Sequence, residues 1–181
     1  MNSTVETLTA VNPREETLMV LDSMGRIVGW RSREDVHKNG NIHDESGVFV
    51  SNEKTGEILL QQRQDNGMFS ISAGEHVKIY ENPPESSQRG LKEELGYNEL
   101  VELRFRFKIF FEENNNKCFI SVYSIEGDFK IEDFKIQKEE ILDIKFFTRD
   151  QIKEMLEEDN NYPVQIEERT KVLLRELFKK I

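Results

Sequence analysis

A chain of 181 residues is long enough for one well-cored domain and too short for two ordinary ones. Its 35 acidic against 25 basic side chains give a net charge of -10, which works against binding to a nucleic-acid backbone, where a basic stripe is the usual footprint. A single cysteine, Cys118, excludes an intrachain disulfide framework and a cysteine-only zinc site, and no apolar run approaches the roughly 18 residues of a membrane helix.

Residues 1–15 are polar, contain Pro13 and read as a loosely ordered tail. They show no basic patch followed by an apolar core, so a cytoplasmic location is expected rather than secretion. Residues 16–181 are expected to form a single domain that includes a C-terminal helix. It opens with a hairpin of 17–21 and 26–30 about a turn ending at Gly25, then a short helix over 33–37 that stops near Gly40. Strands at 48–51 and 57–62 flank a turn containing Gly56, and 69–73 is a short extended piece. The best-marked element is a helix over 83–95. Asn82 is its N-cap, Pro83 suits the first helical position, Glu85 completes a capping box and Gly96 is the stop. Residues 100–111 alternate in part, with Phe105, Phe107, Ile109 and Phe111 on a stripe expected to be core or a dimer contact, which leaves a homodimer open. A turn follows at 112–116, then strands at 117–125 and 141–147 and a Thr148-capped helix to about 157. After a break at 160–163, an amphipathic helix over 164–180 is expected to carry Val172, Leu173, Leu177 and Phe178 on one stripe. Strands mixed with a few helices predict an α+β domain.

Positions 90, 93 and 94 share one face of the 83–95 helix. Two of them are Glu93 and Glu94, and such a pair can hold Mg²⁺ or Mn²⁺ while substrate phosphates complete the octahedron. Hydrolysis of a diphosphate ester needs this, because the phosphate charge must be masked before a nucleophile approaches. The third position is Gly90, which local propensity does not recommend: glycine within a helix costs about 1 kcal/mol relative to alanine.

The stretch GEHVKIYENPPESSQRGLKEELGY resembles the Nudix box, G-x5-E-x7-R-E-U-x-E-E-x-G-U, with U a bulky aliphatic residue. Anchored on Arg89, it keeps Glu81, Arg89, Leu91, Glu93, Glu94 and Gly96 in register. It departs where Glu75 takes the first glycine position, Gly90 the first helix glutamate and Tyr97 the last aliphatic one. The resemblance implies a Nudix fold, an α/β/α sandwich with a central mixed β-sheet. It also implies a metal-dependent hydrolase acting on a small-molecule diphosphate linked to another moiety, the nucleoside diphosphate derivative class. Glu93 and Glu94 would hold Mg²⁺ (or Mn²⁺), and Glu75 would partly supply the carboxylate missing at Gly90. Glu140 or Glu75 would assist the attacking water, Glu140 matching a distal loop glutamate that acts as base in many Nudix hydrolases. Arg63 would contact a substrate phosphate, or else bridge its strand to the box helix. Arg89 is expected to pair with Glu81 and fix the loop.

Over about residues 17–155 the wider pattern resembles the isopentenyl-diphosphate-isomerase-like branch, in VLDSMGRIVGWRSREDVHKNGNIHDESGVFV, EILLQQRQ, SAGEHV and ILDIKFFTRDQI. The three histidines, His37, His43 and His76, fall where that branch places metal-binding imidazoles, an alternative site for Zn²⁺ or Mn²⁺. Isomerase chemistry is disfavoured, because Gly74 stands at the position of the catalytic cysteine and the diphosphate-binding loop is shortened to QDNGMF. A third reading, a catalytically impaired ligand-binding protein of this fold, rests on Gly90. The substrate-recognition loops carry no readable motif.

Overall fold

The structure, a computed structural model, describes residues 16–157 and 164–179. The expected tail at 1–15, the break at 160–163 and Lys180 lie outside the described residues. The chain begins β1 (Thr17–Leu21), β2 (Ile27–Ser32), α1 (Arg33–Asn39), β3 (Ile42–Asn52), β4 (Ile58–Arg63), β5 (Phe69–Ser70) and β6 (Ala73–His76). It continues α2 (Pro83–Leu95), β7 (Arg104–Glu113), β8 (Asn116–Gly127), β9 (Ile141–Phe147), α3 (Arg149–Leu156) and α4 (Glu168–Lys179).

Strand β3 organises the sheet. Along one edge it runs parallel to β8, from Ile42 opposite Lys117 to Asn52 opposite Gly127. Its other edge forks: β6 pairs antiparallel with 45–48, and β4 with Val50 and Ser51. The Ser72 hydroxyl sits in the fork, accepting the Val50 N–H at 2.9 Å and donating to the Leu59 carbonyl. From the fork, β4 leads to β5 and β9, β1 leads to β2, and β7 flanks β8.

Strand alternation sends apolar side chains to both faces. Phe49, Leu60, Val122 and Phe147 pack with Ile152 of α3 and with Leu173, Leu174 and Leu177 of α4. Val48, Val50, Leu59 and Ile125 pack with Leu91 and Leu95 of α2. Each such buried leucine contributes roughly 1.5–3 kcal/mol over an exposed one. Helices therefore cover both faces of a mixed sheet, the expected sandwich. Helix α2 has the expected ends: both bonds of the Asn82/Glu85 box form, at 3.0 and 2.9 Å. Gly96 closes it at φ 63°, where a Cβ would meet the Lys135 carbonyl oxygen at 2.5 Å.

Other expectations shift, each for a physical reason. The 48–51 strand begins at Ile42, because His43, Glu45 and Ser46 are buried polar side chains that a hydrophobic reading passes over. The 69–73 piece splits at the fork into β5 and β6. The aromatic stripe of β7 is broken by a bulge at Arg106: Phe105 opposes Tyr123 and Phe107 opposes Val122. Phe107 thus enters the α3/α4 core, while Phe105 is exposed. The last helix starts at Glu168 because the preceding residues pair with Phe69. It buries Thr170, Leu173, Leu174 and Leu177, leaving Val172 and Phe178 half-buried. Among the described residues no helix is long and apolar enough to cross a membrane.

Candidate active site

A cleft of about 680 Å³ opens beside the fork, between β6, α2, the loop before β9 and the start of α4. Glu75, Glu93, Glu94, Glu140, Arg63 and Arg89 all line it, so the expected carboxylates share one space.

Glu94 is buried at its floor. One carboxylate oxygen accepts from Gln61 Nε2 at 2.6 Å, the other from the Gly74 N–H at 2.9 Å. Burial nevertheless pushes its carboxyl up to about 8, and the Glu75 and Glu140 charges act in the same direction. A divalent cation on this carboxylate would reverse that balance. Glu93, one residue earlier, is half-exposed and accepts from Arg89 Nη1 at 3.3 Å.

Glu75 reaches the same space from β6. A Cβ built on Gly90 would lie 2.8 Å from Glu75 Cγ and 3.4 Å from Glu94 Oε1. No side chain fits at position 90 while Glu75 keeps its place, since close-packed interiors have no room for such an approach. Glu75, on the facing strand, thus occupies the space that a side chain at position 90 would need. Glu75 Oε2 meets Arg89 Nη1 at 2.8 Å, and burial raises its carboxyl above the ordinary range.

Arg89 fixes the loop as expected, with Nε donating to Glu81 Oε1 at 2.9 Å and Nη2 to the His76 carbonyl at 2.9 Å. Arg63 lines the cleft, but its partners are Asp65 at 3.1 Å and Glu167 at 3.5 Å. The alternative bridge from Arg63 to the box helix is thereby corrected: it reaches the segment before α4 instead. Glu140 lies on the loop before β9, its N–H donating to the Gln137 carbonyl and its carbonyl accepting from Gln64.

The histidines also converge. One ring nitrogen from each of His37, His43 and His76 lies within 4.8 Å of the others. His37 Nε2 and His76 Nε2 are 2.9 Å apart. His43 Nδ1 donates to the Asn41 carbonyl at 3.1 Å, which leaves Nε2 as a lone-pair donor 3.2 Å from Glu45 Oε1. Two lone-pair donors then face each other there. Burial lowers His76 to about 3 and shifts His37 down, so both imidazoles are neutral at neutral pH. Burial alone would raise Glu45, but Arg169 of α4, which donates to it, holds its carboxyl well below the carboxylate range.

Sequence reasoning missed Glu45 and Arg169. His43 and Glu45 share a face by the strand period of two, a signal that appears once β3 is taken back to Ile42. Cys118 lies opposite His43 in β8, and burial raises its thiol, so it stays protonated and unreactive.

The NUDIX domain family profile matches residues 41–166, a span holding the fork, the α2 carboxylates and Glu140. The chain belongs to the Nudix family. Nudix hydrolase 3 of Arabidopsis thaliana is 27% identical to this Nudix chain over 161 residues, 81% of the chain but 21% of the plant protein, so the chain spans about a fifth of that relative. An uncharacterized Nudix hydrolase of Clostridium acetobutylicum is 29% identical over 157 residues, 79% of this chain and 75% of its own. An isopentenyl-diphosphate Delta-isomerase of Serratia proteamaculans is 29% identical over only 89 residues, 46% of this chain and 49% of its own. A crystal structure from Deinococcus radiodurans has the same fold, with a TM-score of 0.69 and 18% identity over 90% of this chain and 99% of its own. The Nudix hydrolase likeness thus runs along most of the chain, and the isomerase likeness along less than half.

Proposed function

We propose that this Nudix protein is a metal-dependent hydrolase that cleaves a diphosphate linked to another moiety, with nucleoside diphosphate derivatives as its substrate class. The observation that carries the reading is the approach of Glu75 to position 90, where a Cβ would lie 2.8 Å from Glu75 Cγ, and we read it as an exchange of one carboxylate for another. Simple loss of a helix glutamate would leave a gap, whereas here Glu75 fills the place. Glu75, Glu93 and Glu94 then offer one cleft an oxygen-only donor set, the kind that Mg²⁺ or Mn²⁺ prefers. Such an ion, when bound, would mask phosphate charge and polarise the P–O bonds.

The remaining work falls to the chain's own groups. Gln61 and the Gly74 N–H hold the Glu94 carboxylate at a fixed point on the cleft floor. Glu93 closes the solvent side. Glu140 or Glu75 accepts the proton of the attacking water. The water oxygen bonds to one phosphorus, the bridging P–O bond breaks, and two phosphorylated products leave. Arg63 contacts a substrate phosphate in fork geometry in exchange for its Asp65 contact.

A screen of nucleoside diphosphate derivatives with Mg²⁺ or Mn²⁺, read as phosphate released after phosphomonoesterase treatment, tests this. Turnover is expected in the wild type, with a loss of about 10²-fold or more in Glu75→Gln. Unchanged turnover in Glu75→Gln would count against the exchange.

Two specific observations favour further readings. The Glu75–Arg89 pair at 2.8 Å neutralises the displaced carboxylate, which suits a ligand-binding protein without turnover; that reading expects binding in the same screen and no phosphate release. The facing lone pairs of His43 and Glu45 favour a second cation on His37, His43 and His76, where nitrogen donors suit Zn²⁺ or Mn²⁺. Zn²⁺ titration of the wild type against His43→Ala checks it: one equivalent should bind the wild type and be lost in the variant.

A further inference from the structure

A second recess, of about 420 Å³, lies on the α3/α4 face where β3 and β8 end, away from the carboxylate cleft. From Glu45 in the cleft to Ser51 in the recess, β3 rises about 20 Å. The floor is apolar, formed by Ile58 of β4 with Leu177 and Phe178 of α4. The walls carry two cations, Arg106 of β7 and Arg149 of α3.

Three features of these walls point to a ligand. The bulge in β7 sets Arg106 beside Phe107 on the α3/α4 face, the kind of device that re-aims a side chain toward a site. The Arg106 side chain is only 13% exposed, yet its nearest carboxylate oxygen, Glu126 Oε1, is 4.0 Å away, beyond hydrogen-bond range. Glu126 is itself half-exposed at the rim and equally distant from Arg104. Ser124 shares a strand face with Ile120 and Val122, which sends its side chain to the same side as α4. It is 4% exposed, and its hydroxyl oxygen has no hydrogen-bond partner. Leaving such a group unpaired is destabilising, and an acceptor supplied from outside would remove that cost. Arg149 is held by stacking, its Cζ 4.9 Å from the Phe178 ring centre, and its hydrogen bond to the Phe178 carbonyl is long at 3.5 Å. Its remaining donors are available to a ligand.

The geometry points to a second, metal-independent binding site in this recess for a small organic anion, a carboxylate or phosphate carried on an apolar ring. Arg106 and Arg149 grip the anionic head from opposite walls, and Ser124 donates its hydroxyl to it. The ring lies on Ile58 and Leu177. Glu126, at the rim, is the weakly held group that the anion displaces.

Phenyl phosphate and inorganic phosphate, titrated separately into the full chain in the presence of EDTA and followed by NMR of backbone amides and arginine Nε–H groups, test the site. Saturable shifts are expected at Arg106, Ser124 and Arg149, with phenyl phosphate binding more tightly than phosphate. Arg106→Met and, separately, Arg149→Met should each weaken binding about tenfold or more, as for loss of a charged hydrogen bond. The two variants lie on different elements, so a folding defect in one leaves the other informative. Glu93→Gln should leave the shifts unchanged. Absence of saturable shifts, equal affinity for the two probes, or loss of the shifts in Arg63→Met but not in Arg106→Met would overturn the site. Because no divalent ion is present, the outcome stands apart from that of the hydrolase reading.

Discussion

Two clusters meet at β6, where Glu75 and His76 are neighbours and point to opposite faces of the strand. On the Glu75 side, a buried Glu94 lies near a half-buried Glu75, and burial raises both carboxyls. On the His76 side, Glu45 is just as buried, yet its carboxyl is driven far down because Arg169 is bonded to it. The difference is one of supply. In the first cluster Arg89 pairs with Glu75, while Glu94 is bonded only to neutral donors and gains most from a cation; in the second the guanidinium is bonded to the most buried carboxylate, and the histidines add neutral donors. Under the proposed hydrolase reading, metal dependence of turnover would belong to the first cluster and structural integrity to the second.

The largest effect should come from breaking the supplied side. Arg169→Met strands a buried carboxylate, and removing one partner of such a pair costs about 3–5 kcal/mol, readable as a fall in the urea midpoint. Adding Glu45→Gln to that variant should restore most of the loss. Next, Glu94→Gln should lower Mg²⁺-dependent turnover by at least about 10²-fold, at or beyond the losses of roughly 10–100-fold seen for outer-shell partners of a metal. The same change removes a disfavoured buried carboxyl, so the metal-free protein should become more stable at neutral pH.

Gly90→Ala separates propensity from packing. Alanine gains about 1 kcal/mol over glycine in a free helix, but here its Cβ would meet Glu75 Cγ at 2.8 Å. No stabilisation is expected in the wild type, and the full gain is expected when Glu75 is first replaced by glycine, measured by thermal unfolding. A pH linkage gives a separate test. The Glu94 carboxyl is raised to about 8, far above the ordinary carboxylate range, so the folded state holds this proton more tightly than the unfolded chain. Stability in EDTA should fall as pH rises across that window and level off above it. Saturating Mg²⁺ should flatten the slope, because the cation favours the ionised form.

Legibility in the sequence differed between the same two regions. Helix α2 could be read residue by residue, since Asn82, Pro83, Glu85 and Gly96 each act through local backbone geometry. The fixed spacing within that helix brought Glu93 and Glu94 to one face, and the Arg89–Glu81 pair followed from the motif. The fork of β3, the bulge at Arg106 and the Arg169–Glu45 pair depend on contacts between residues far apart in the chain. Arg169 and Glu45 are separated by 124 positions, and nothing in the local pattern of either marks the other. The glycine at 90 was visible as a departure from a motif, but its reason was not, because that reason is a distance of 2.8 Å across two elements.

The most direct test is the exchange itself, measured as Mg²⁺-dependent hydrolysis by four proteins: wild type, Glu75→Gly, Gly90→Glu, and the two changes combined. Each single variant should lose turnover, one by removing the carboxylate and the other by forcing two side chains into one place. The combined variant should recover most of it, since the carboxylate returns from the helix side. Losses that simply multiply, leaving the combined variant worse than either single one, would contradict the claim that Glu75 and Gly90 are two halves of one arrangement.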